Sequence, residues 1–429
     1  MFEINQLYDI MIFMNKYDVA VIGGGPAGLM AAGRAGEIGI RSILVEKNQI
    51  LGKKLLITGK GRCNLTNAKE DLNDFINQFG KNGKFFYSAL FLFSPTETMD
   101  FFEKYGVKTK IERGNRVFPI SDSSKQILEA LMRYSKDFCH EIKLGAKVEK
   151  IIKKEKRIEK IILSNGEEII AKNFILCSGG KSYSSTGSTG DGYKWLKDLG
   201  HKITPLFPSL VPIIVKEKIV KELEGLSLKN VEINLFQKGK KINSRFGEAI
   251  FTSDGLSGPI ILDLSQEIEE KFEDLKIKID FKPALNYIQL DKRLQKDFME
   301  ANNKIFKNSL DKLLPQKLIP VIINLSEIDP EKRVNLITKQ ERKKILHLLK
   351  EFTLEIEKLG GYERAIITKG GVDLSEIEPK TMRSKIIDNL YLAGEILDLN
   401  GPTGGYNLQV CWSTGYLAGE SAGKSILKE

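Results

Sequence analysis

Histidine and cysteine are scarce in this chain, and their scarcity argues against several kinds of active site. The sequence contains three histidines and four cysteines, namely His140, His201, His347, Cys63, Cys139, Cys177 and Cys411. The cysteines form no CxxC pair and no cluster of histidines accompanies them, so neither a zinc site nor a disulfide framework is indicated. Three scattered histidines also argue against a His-based triad, and we predict no metal site.

Long apolar segments are missing as well. No stretch of about 18 uninterrupted apolar residues occurs, and the N-terminus lacks the basic, apolar and small-residue order of a secretory signal. We therefore expect a cytoplasmic protein with no membrane partner. The chain has 429 residues, 41% of them hydrophobic, which is enough for two or three domains with their own cores.

The charge of the chain is positive. Its 66 lysines and arginines exceed its 56 aspartates and glutamates by 10. Such a balance can indicate a nucleic-acid partner, but the lysines are spread over many segments and form no basic arm or stripe. We therefore expect a solvated surface that attracts anionic cofactors or substrates, and no stable nucleic-acid complex. The oligomeric state is not predicted.

Residues 17–47, YDVAVIGGGPAGLMAAGRAGEIGIRSILVEK, have the pattern of a strand, a glycine turn, a helix and a second strand. Gly23, Gly25 and Gly28 form GxGxxG. The first glycine permits the turn, the second lets a pyrophosphate approach the backbone, and the third allows close helix packing. Phosphates would lie at the helix N-terminus. Glu46 ends the second strand, where a carboxylate can bind ribose hydroxyls, so the unit predicts a dinucleotide.

The C-terminal segment 389–423 favours FAD over NAD. Gly394 and Glu395 follow a short predicted strand, and an acid at this place suits the hydroxyl-rich ribityl chain of a flavin. A helix expected after the Gly404–Gly405 pair would direct its positive end toward the flavin edge that becomes negative on reduction. A helix that only covers the sheet is the structural alternative.

Six motifs occur in a characteristic order: GGGPAG…VEK, GKGRCNLTN, NRVFP, SGGKSYSSTGSTGDGY, TKGGVD and LYLAGEILDLNGPTGGYN. In this order the chain resembles a bacterial family of NAD(P)/FAD-dependent oxidoreductases of the aminoacetone-oxidase and bile-acid-reductase type. More distantly it resembles the fumarate reductase and ketosteroid dehydrogenase flavoproteins. The resemblance covers residues 17–429. It implies an α/β fold, with a Rossmann-like, two-dinucleotide-binding FAD domain, an inserted β-barrel and a small helical subdomain.

The residue types and their spacing change in the middle of the chain. From about 203, short β-rich runs are separated by Pro, Gly and Lys-Gly turns, and 286–350 is rich in Leu and Lys at helical spacing. Met14 is an alternative start, so the residues before the first strand are expected to lie outside the fold. The predicted segments are an N-terminal extension 1–16, an FAD domain 17–202 and 355–429, a barrel 203–285 and a helical subdomain 286–354.

The resemblance also implies which residues follow the cofactor. The predicted cofactor-binding residues are Gly23, Gly25, Pro26, Ala27, Gly28, Glu46, Lys47, Lys54, Gly59, Arg62, Asn64, Thr66, Val148, Gly179, Gly180, Gly394, Glu395, Gly404, Gly405, Tyr406 and Asn407. Val148 would meet the adenine edge through its main chain, with a plain core strand as the alternative. Segment 59–67 is not a Walker motif, because Lys54 and Gly61 stand where that motif needs Gly and Ser or Thr. Cys63, within it, is interpreted as a packed small residue.

Four residues are candidates for orienting the substrate or moving a proton. Arg62 and Tyr406 come first, and Arg116 and Tyr183 second. An arginine suits an anionic or carbonyl substrate, and a tyrosine can pass a proton. The resembled family has a histidine after FT in the segment GEAIFTSDGLSGP, where this chain has Ser253. That histidine therefore cannot be the catalytic acid here.

We expect an FAD-dependent oxidoreductase that transfers a hydride to or from a C–C or C–N bond of a small organic substrate. Reduction of an activated, enone-type double bond is preferred. No second GxGxxG is visible in the sequence, so NAD(P)H is expected only as a transient electron donor. Two alternatives remain: a flavin-dependent tRNA-modifying protein, favoured by the charge, and a non-catalytic FAD-binding structural or regulatory protein, favoured by the lack of an identified acid–base group.

Overall fold

The computed structural model describes residues 16–268 and 273–428. The predicted N-terminal extension, apart from Lys16, lies outside these residues. The described chain forms two compact units: one contains the residues up to Pro208 and those from Ile366 onward, and the other is Ser209–Ala365. The first unit is thus discontinuous in sequence, and the second is inserted into it.

Strands and helices contribute to both units. The strands of the described residues are β1 Lys16–Ile22, β2 Ser42–Val45, β3 Thr66–Asn67, β4 Thr109–Glu112, β5 Arg116–Pro119, β6 Glu141–Lys143, β7 Val148–Lys154, β8 Arg157–Leu163, β9 Glu168–Leu176, β10 Phe207–Ser209, β11 Ile213–Val215, β12 Ser227–Gln237, β13 Lys240–Thr252, β14 Gly255–Ser257, β15 Leu275–Asp280, β16 Phe352–Leu359, β17 Ile367–Lys369 and β18 Leu390–Leu392. The α-helices of the same residues are α1 Pro26–Glu37, α2 Leu72–Asn77, α3 Gly83–Leu92, α4 Pro95–Lys104, α5 Ser124–Phe138, α6 Asp191–Leu199, α7 Pro259–Ser265, α8 Tyr287–Glu300, α9 Ile319–Ser326, α10 Lys339–Lys350 and α11 Tyr406–Leu427.

The main sheet of the first unit is Rossmann-like. Its strand order is β6-β2-β1-β9-β8-β7, and β18 pairs with the C-terminal part of β9. Both pairings of β1 are parallel, so Val21 lies beside Leu44 on one side and Ile175 on the other. The middle of β1 is fully buried, as expected for a strand that is covered on both faces. The fold class predicted from residues 17–47 and from the resemblance is confirmed.

Helices α1 and α11 pack closely because glycines lie at their contact. A Cβ on Gly415 would lie 2.4 Å from the carbonyl oxygen of Ala27, and one on Gly419 would lie 2.4 Å from that of Ala31. No side chain fits at these two positions without moving one helix away from the other. The contact holds the C-terminal helix against the helix that follows the glycine turn.

The second unit contains a closed β-barrel with the strand order β11-β14-β13-β12-β15-β16, together with helices α8, α9 and α10. Apolar side chains from both parts, such as Ile277 in the barrel and Ile322 in a helix, share one buried cluster. The predicted barrel and helices are therefore both present. No helix within residues 16–268 and 273–428 is long and apolar enough to cross a membrane.

The end of the insertion differs from the predicted one. Strand β16 pairs with β15 and β11 and completes the barrel, so the chain does not return to the first unit at 355. The reason lies in the alternation of FTLEIEKL, in which Phe352, Leu354 and Ile356 are buried while the residues between them are more exposed. A period of two is that of a strand with one face in a core. The return to the first unit comes at Ile366.

A buried hydrogen-bond chain in the first unit was not predicted from the sequence. His201 Nδ1 lies 3.0 Å from Glu376 Oε2, and its Nε2 lies 2.9 Å from Ser384 Oγ. Ser384 Oγ also accepts from the amides of Ile386 and Ile387, at 3.0 and 2.8 Å. Both the histidine and the serine are buried, so this Ser–His–Glu chain ties two loops together and is not a hydrolytic triad.

Candidate cofactor site

A cavity opens at the C-terminal ends of the parallel strands in the first unit. The space at the cavity is about 1380 Å³, counted together with the adjoining open solvent. Ile22 and Val45 end β1 and β2, Cys177 follows β9, Ala393 follows β18, and all four residues line the cavity. Ligands of open α/β sheets bind at this edge. The cavity is therefore the candidate cofactor site.

The three motif glycines have different surroundings. Gly23 has a φ of +108°, and a Cβ on it would lie 2.4 Å from the Cys177 carbonyl oxygen. A Cβ on Gly28 would lie 1.8 Å from the Gly23 carbonyl oxygen, so this glycine allows α1 to pack against the turn. A Cβ on Gly25 would meet nothing within 4 Å, although Gly25 lines the cavity. The open space at Gly25, before the N-terminus of α1, is a cradle that fits a diphosphate.

Glu46 is held at the cavity wall through both of its carboxylate oxygens. Oε2 accepts from the Gly24 amide at 2.7 Å, and Oε1 accepts from Asn48, at 2.7 Å from the backbone N and 2.6 Å from Nδ2. Glu46 is buried, so its orientation is set by the protein. A carboxylate has about four acceptor positions, which leaves capacity for a ligand hydroxyl. Gly24 and Asn48 were not predicted as site residues.

Residues 185–191, the strap, form one wall of the cavity and are tied to the loop after β2. Lys47 Nζ donates to Thr189 Oγ1 at 2.6 Å and to Asp191 Oδ2 at 2.8 Å. Asn48 Nδ2 donates to the Thr186 carbonyl at 3.2 Å, and Lys53 Nζ donates to the carbonyl of residue 185 at 2.8 Å. Burial opposes ionisation of Asp191, but the hydrogen bonds from Lys47 and Thr189 outweigh it and lower its pKa.

Lys54 and Glu395 meet at the cavity wall. Lys54 Nζ donates to Glu395 Oε2 at 2.9 Å and to Ser182 Oγ at 2.6 Å. Ser182 Oγ and the Thr368 amide donate to the other oxygen, Oε1, at 3.0 and 2.9 Å. A Cβ on Gly180 would lie 2.5 Å from Thr368 Oγ1, so this glycine gives the network its room. The carboxylate of Glu395 is thus engaged on both oxygens by the protein.

The structure brings many of the predicted site residues to one cavity. Those that line it are Gly23, Gly25, Pro26, Ala27, Glu46, Lys47, Lys54, Val148, Gly179, Gly394, Glu395 and Asn407. Lining residues that sequence reasoning missed include Trp195, Cys177 and Cys411, whose thiols are buried. No sequence motif marks these residues, because in a single sequence a side chain that lines a cavity cannot be distinguished from one in the core. Within the described residues, no group of His, Cys, Asp and Glu side chains could hold a metal ion.

Arg62 is not among the residues that line the cavity, and its place along the cofactor path stays a prediction. Its guanidinium lies over the ring of Phe118, 4.0 Å from the centroid. It donates to Asp122 at 2.7 Å and to Glu112, and the hydrogen bond with Glu112 is the main cause of its raised pKa. Charge pairing with Glu112 in β4 and with Asp122 after β5, which the sequence does not reveal, holds this side chain.

Tyr406 is not among the residues that line the cavity either. Its ring packs against Phe75 and Phe79, with centroid distances of 4.7 and 6.2 Å, and the residue is buried. This packing does not support the expected role as a proton donor. The other predicted residues that do not line the cavity are Gly28, Gly59, Asn64, Thr66, Arg116, Gly180, Tyr183, Gly404 and Gly405.

Segment 59–67 joins the start of α11 instead of lining the cavity. Thr66 Oγ1 donates to Gln409 at 2.6 Å, and a Cβ on Gly405 would lie 2.3 Å from the Thr66 carbonyl oxygen. Cys63 is fully buried, and burial raises the pKa of its thiol to about 12, so it stays protonated at neutral pH. Thr66 and Cys63 therefore pack closely inside the first unit, and Thr66 does so against the start of α11.

Comparison with known proteins agrees with the resemblance inferred from the motifs. The family model described as the HI0933-like protein Rossmann domain matches residues 17–421. A 3-dehydro-bile acid delta(4,6)-reductase from Clostridium scindens is 32% identical over 414 residues, which cover 95% of this chain and 99% of that protein. A ribosomal RNA dihydrouridine synthase from Escherichia coli is 27% identical over 405 residues, 94% of this chain and 97% of that protein.

Among solved structures, the open conformation of a flavocytochrome c3 fumarate reductase has a TM-score of 0.54 at 17% identity. The match covers 96% of this chain and 79% of that one. At this identity the likeness shows the fold alone, and it agrees with the distant resemblance to fumarate reductases. The prediction of an enzyme is confirmed by the family and its relatives. The chain belongs to the HI0933-like Rossmann-domain family, and it is an FAD-dependent oxidoreductase.

Proposed function

We propose that the protein reduces a carbon–carbon double bond conjugated to a carbonyl group in a small organic substrate, with NAD(P)H as the transient electron donor. The observation that carries the cofactor assignment is the open cradle at Gly25 beside the preset carboxylate of Glu46. FAD, when bound, supplies hydride transfer. The protein itself would hold the cofactor and the substrate close together in the correct orientation and would exclude water.

The lining residues suggest how the chain would hold FAD. The turn from Gly23 to Gly28 and the N-terminus of α1 would bind the diphosphate through backbone amides. Glu46 would accept from ribose hydroxyls, and the main chain at Val148 would meet the adenine edge. Glu395 would accept from the ribityl hydroxyls. These assignments are supported by the positions of Gly23, Gly25, Glu46, Val148 and Glu395 on the cavity wall.

The choice of reaction rests on the relatives. One is named for the reduction of a 3-dehydro bile acid and the other for the formation of dihydrouridine. In both substrates the reduced double bond is conjugated to a carbonyl, which lowers the barrier to hydride addition at the far carbon. Because two relatives with different substrates share this type of reaction, the relatives support the type of reaction for this chain more than they support either substrate.

The test is anaerobic reduction of the purified protein. We expect a flavin absorbance that NADH or NADPH bleaches, and that recovers when a conjugated steroid ketone is added in place of oxygen. Isolation of the saturated ketone in amounts equal to the nucleotide consumed would support the proposal. Bleached flavin that no conjugated ketone reoxidises would contradict it. Flavin that neither nucleotide bleaches would remove NAD(P)H as the donor.

The uracil ring of ribosomal RNA is a second candidate substrate. Relatives from Escherichia coli and Haemophilus influenzae, 27% and 28% identical, are named ribosomal RNA dihydrouridine synthases. The net charge of +10 also suits a polyanion. This candidate retains the RNA-modifying alternative considered from the sequence, with ribosomal RNA in the place of tRNA.

The two candidates differ in salt dependence and product. An RNA substrate predicts binding that weakens steeply as salt increases, because neutralised phosphates release counterions. It also predicts dihydrouridine in ribosomal RNA treated with the reduced enzyme, measured by mass spectrometry of the digested nucleosides. Treated RNA that contains no added dihydrouridine, with turnover of a conjugated ketone under the same conditions, would remove this candidate.

A further inference from the structure

We propose that Lys54 is a positioning residue that balances the charge of Glu395 and thereby sets the reduction potential of the bound flavin. The proposal begins with the geometry of the pair. Lys54 Nζ lies 2.9 Å from Glu395 Oε2, and both side chains line the cofactor cavity. They are only about one fifth exposed, at 20% for Lys54 and 17% for Glu395, so solvent screens the pair weakly.

Glu395 cannot turn away from Lys54 without losing further bonds. Its second oxygen accepts from the Thr368 amide at 2.9 Å and from Ser182 Oγ at 3.0 Å. Ser182 in turn accepts from Lys54, so the lysine holds the carboxylate both directly and through the serine. The carboxylate is therefore presented to the cavity in one orientation, which is what a group that binds the hydroxyls of a cofactor requires.

The charge of the pair matters as much as its geometry. An isolated carboxylate in the cavity wall would oppose the growth of negative charge on the cofactor during reduction, since charges interact strongly where water is excluded. Lys54 cancels that effect. Loss of the lysine alone leaves a partly buried, uncompensated carboxylate, which is the costly state of such a pair. Loss of the carboxylate alone leaves a cation that favours the reduced cofactor.

Opposite shifts in two variants therefore identify the role. In Lys54→Met we expect a lower midpoint potential than in wild type and FAD binding weaker by about tenfold or more, as for loss of one charge-assisted hydrogen bond. In Glu395→Gln we expect a higher potential. The double variant should lie between the two. Lys54→Arg, which keeps the charge, should stay near wild type.

The measurements are the midpoint potential, by equilibration with a reference dye, and FAD affinity, by fluorescence titration of the apoprotein. Lys60→Met is the matched control, because it removes a lysine from an exposed position of the same loop, outside the cavity lining. We expect wild-type values for it. If Lys54→Met does not retain FAD, Glu395→Gln and the double variant carry the test.

Potentials that shift in the same direction in both single variants, or that do not shift, would overturn the proposal. A structural role alone would weaken FAD binding in every variant without opposite shifts in potential. The inference rests on the FAD cofactor and not on the proposed substrate. Failure of the wild-type enzyme to reduce a conjugated ketone would leave these potentials measurable, so the two failures are distinguishable.

Discussion

Substitution of Gly25 by valine tests the cofactor cradle most directly. A Cβ at this position meets no protein atom within 4 Å, and the φ of −82° is open to any residue, so the folded structure tolerates the change. Valine is a poorer helix N-cap than glycine, and we expect a stability loss of about 1 kcal/mol or less. The same side chain would enter the space where backbone amides must approach the diphosphate.

The expected loss of FAD binding is much larger. A hydrogen bond to a charged group contributes about 1.5–3 kcal/mol, and exclusion of the diphosphate from one or two such bonds corresponds to a weakening of roughly 10-fold to more than 1,000-fold. The assay is fluorescence titration of the apoprotein with FAD, accompanied by thermal unfolding without FAD. We expect Gly25→Val to purify folded and colourless.

The control for this variant is Gly361→Val in the second unit. Gly361 also has no atom within 4 Å of an added Cβ, and it is exposed and does not line the cavity. We expect it to bind FAD as wild type does. A Gly25→Val protein that keeps stoichiometric FAD would show that the space before α1 is not the diphosphate site.

Three further outcomes follow from the same geometry. Gly28→Val should abolish cooperative thermal unfolding, because its Cβ would lie 1.8 Å from the Gly23 carbonyl oxygen; a melting temperature near that of wild type would contradict this. Glu46→Gln should weaken FAD binding by about tenfold, because a charged acceptor becomes neutral and the new amide nitrogen must face a backbone N–H. An unchanged FAD titration would count against ribose binding by Glu46. Burial lowers the pKa of His201, although Glu376 opposes the shift. Below about pH 6.5 the unfolded chain therefore binds a proton at this histidine that the folded chain does not bind. The free energy of unfolding should consequently fall as the pH drops below that value. Thermal melts above and below that pH should show a smaller change in His201→Gln than in wild type, and an equal change would exclude His201 as a source.

Local patterns were sufficient for the nucleotide-binding half of the site. The spacing of Gly23, Gly25 and Gly28 between a strand and a helix, with Glu46 at the end of the next strand, depends on one βαβ unit and on no distant contact. The short alternating runs after 203, which are separated by Pro and Gly, likewise predict a barrel, because the two-residue period of a strand is a local property of the sequence. The end of that barrel was missed because Phe352–Leu359 lies after three helices and resembles a return to the parallel sheet.

Two of the predicted site residues do not line the cavity, and their partners lie far away in sequence. Arg62 is predicted near the cofactor because its segment follows the ribose-binding acid, and the structure pairs its guanidinium with Glu112 in β4 and with Asp122, which follows β5. Tyr406 follows a glycine pair that suits a cofactor loop, but Phe75 and Phe79 take its ring into a core. Charge pairing and aromatic packing between such distant residues leave no period or spacing in a sequence.

The Rossmann-like unit, the inserted barrel with its helices, the FAD cofactor and the oxidoreductase class could all be predicted from the sequence. Each of these depends on residue types at short spacing or on a linked set of motifs. Three features became visible only in the folded chain: Lys54 pairs with Glu395, 341 residues later, the strap forms one wall of the cavity, and Thr66 packs against the start of α11. Each of these features depends on contacts between residues that are distant in sequence, and such contacts form only when the chain folds.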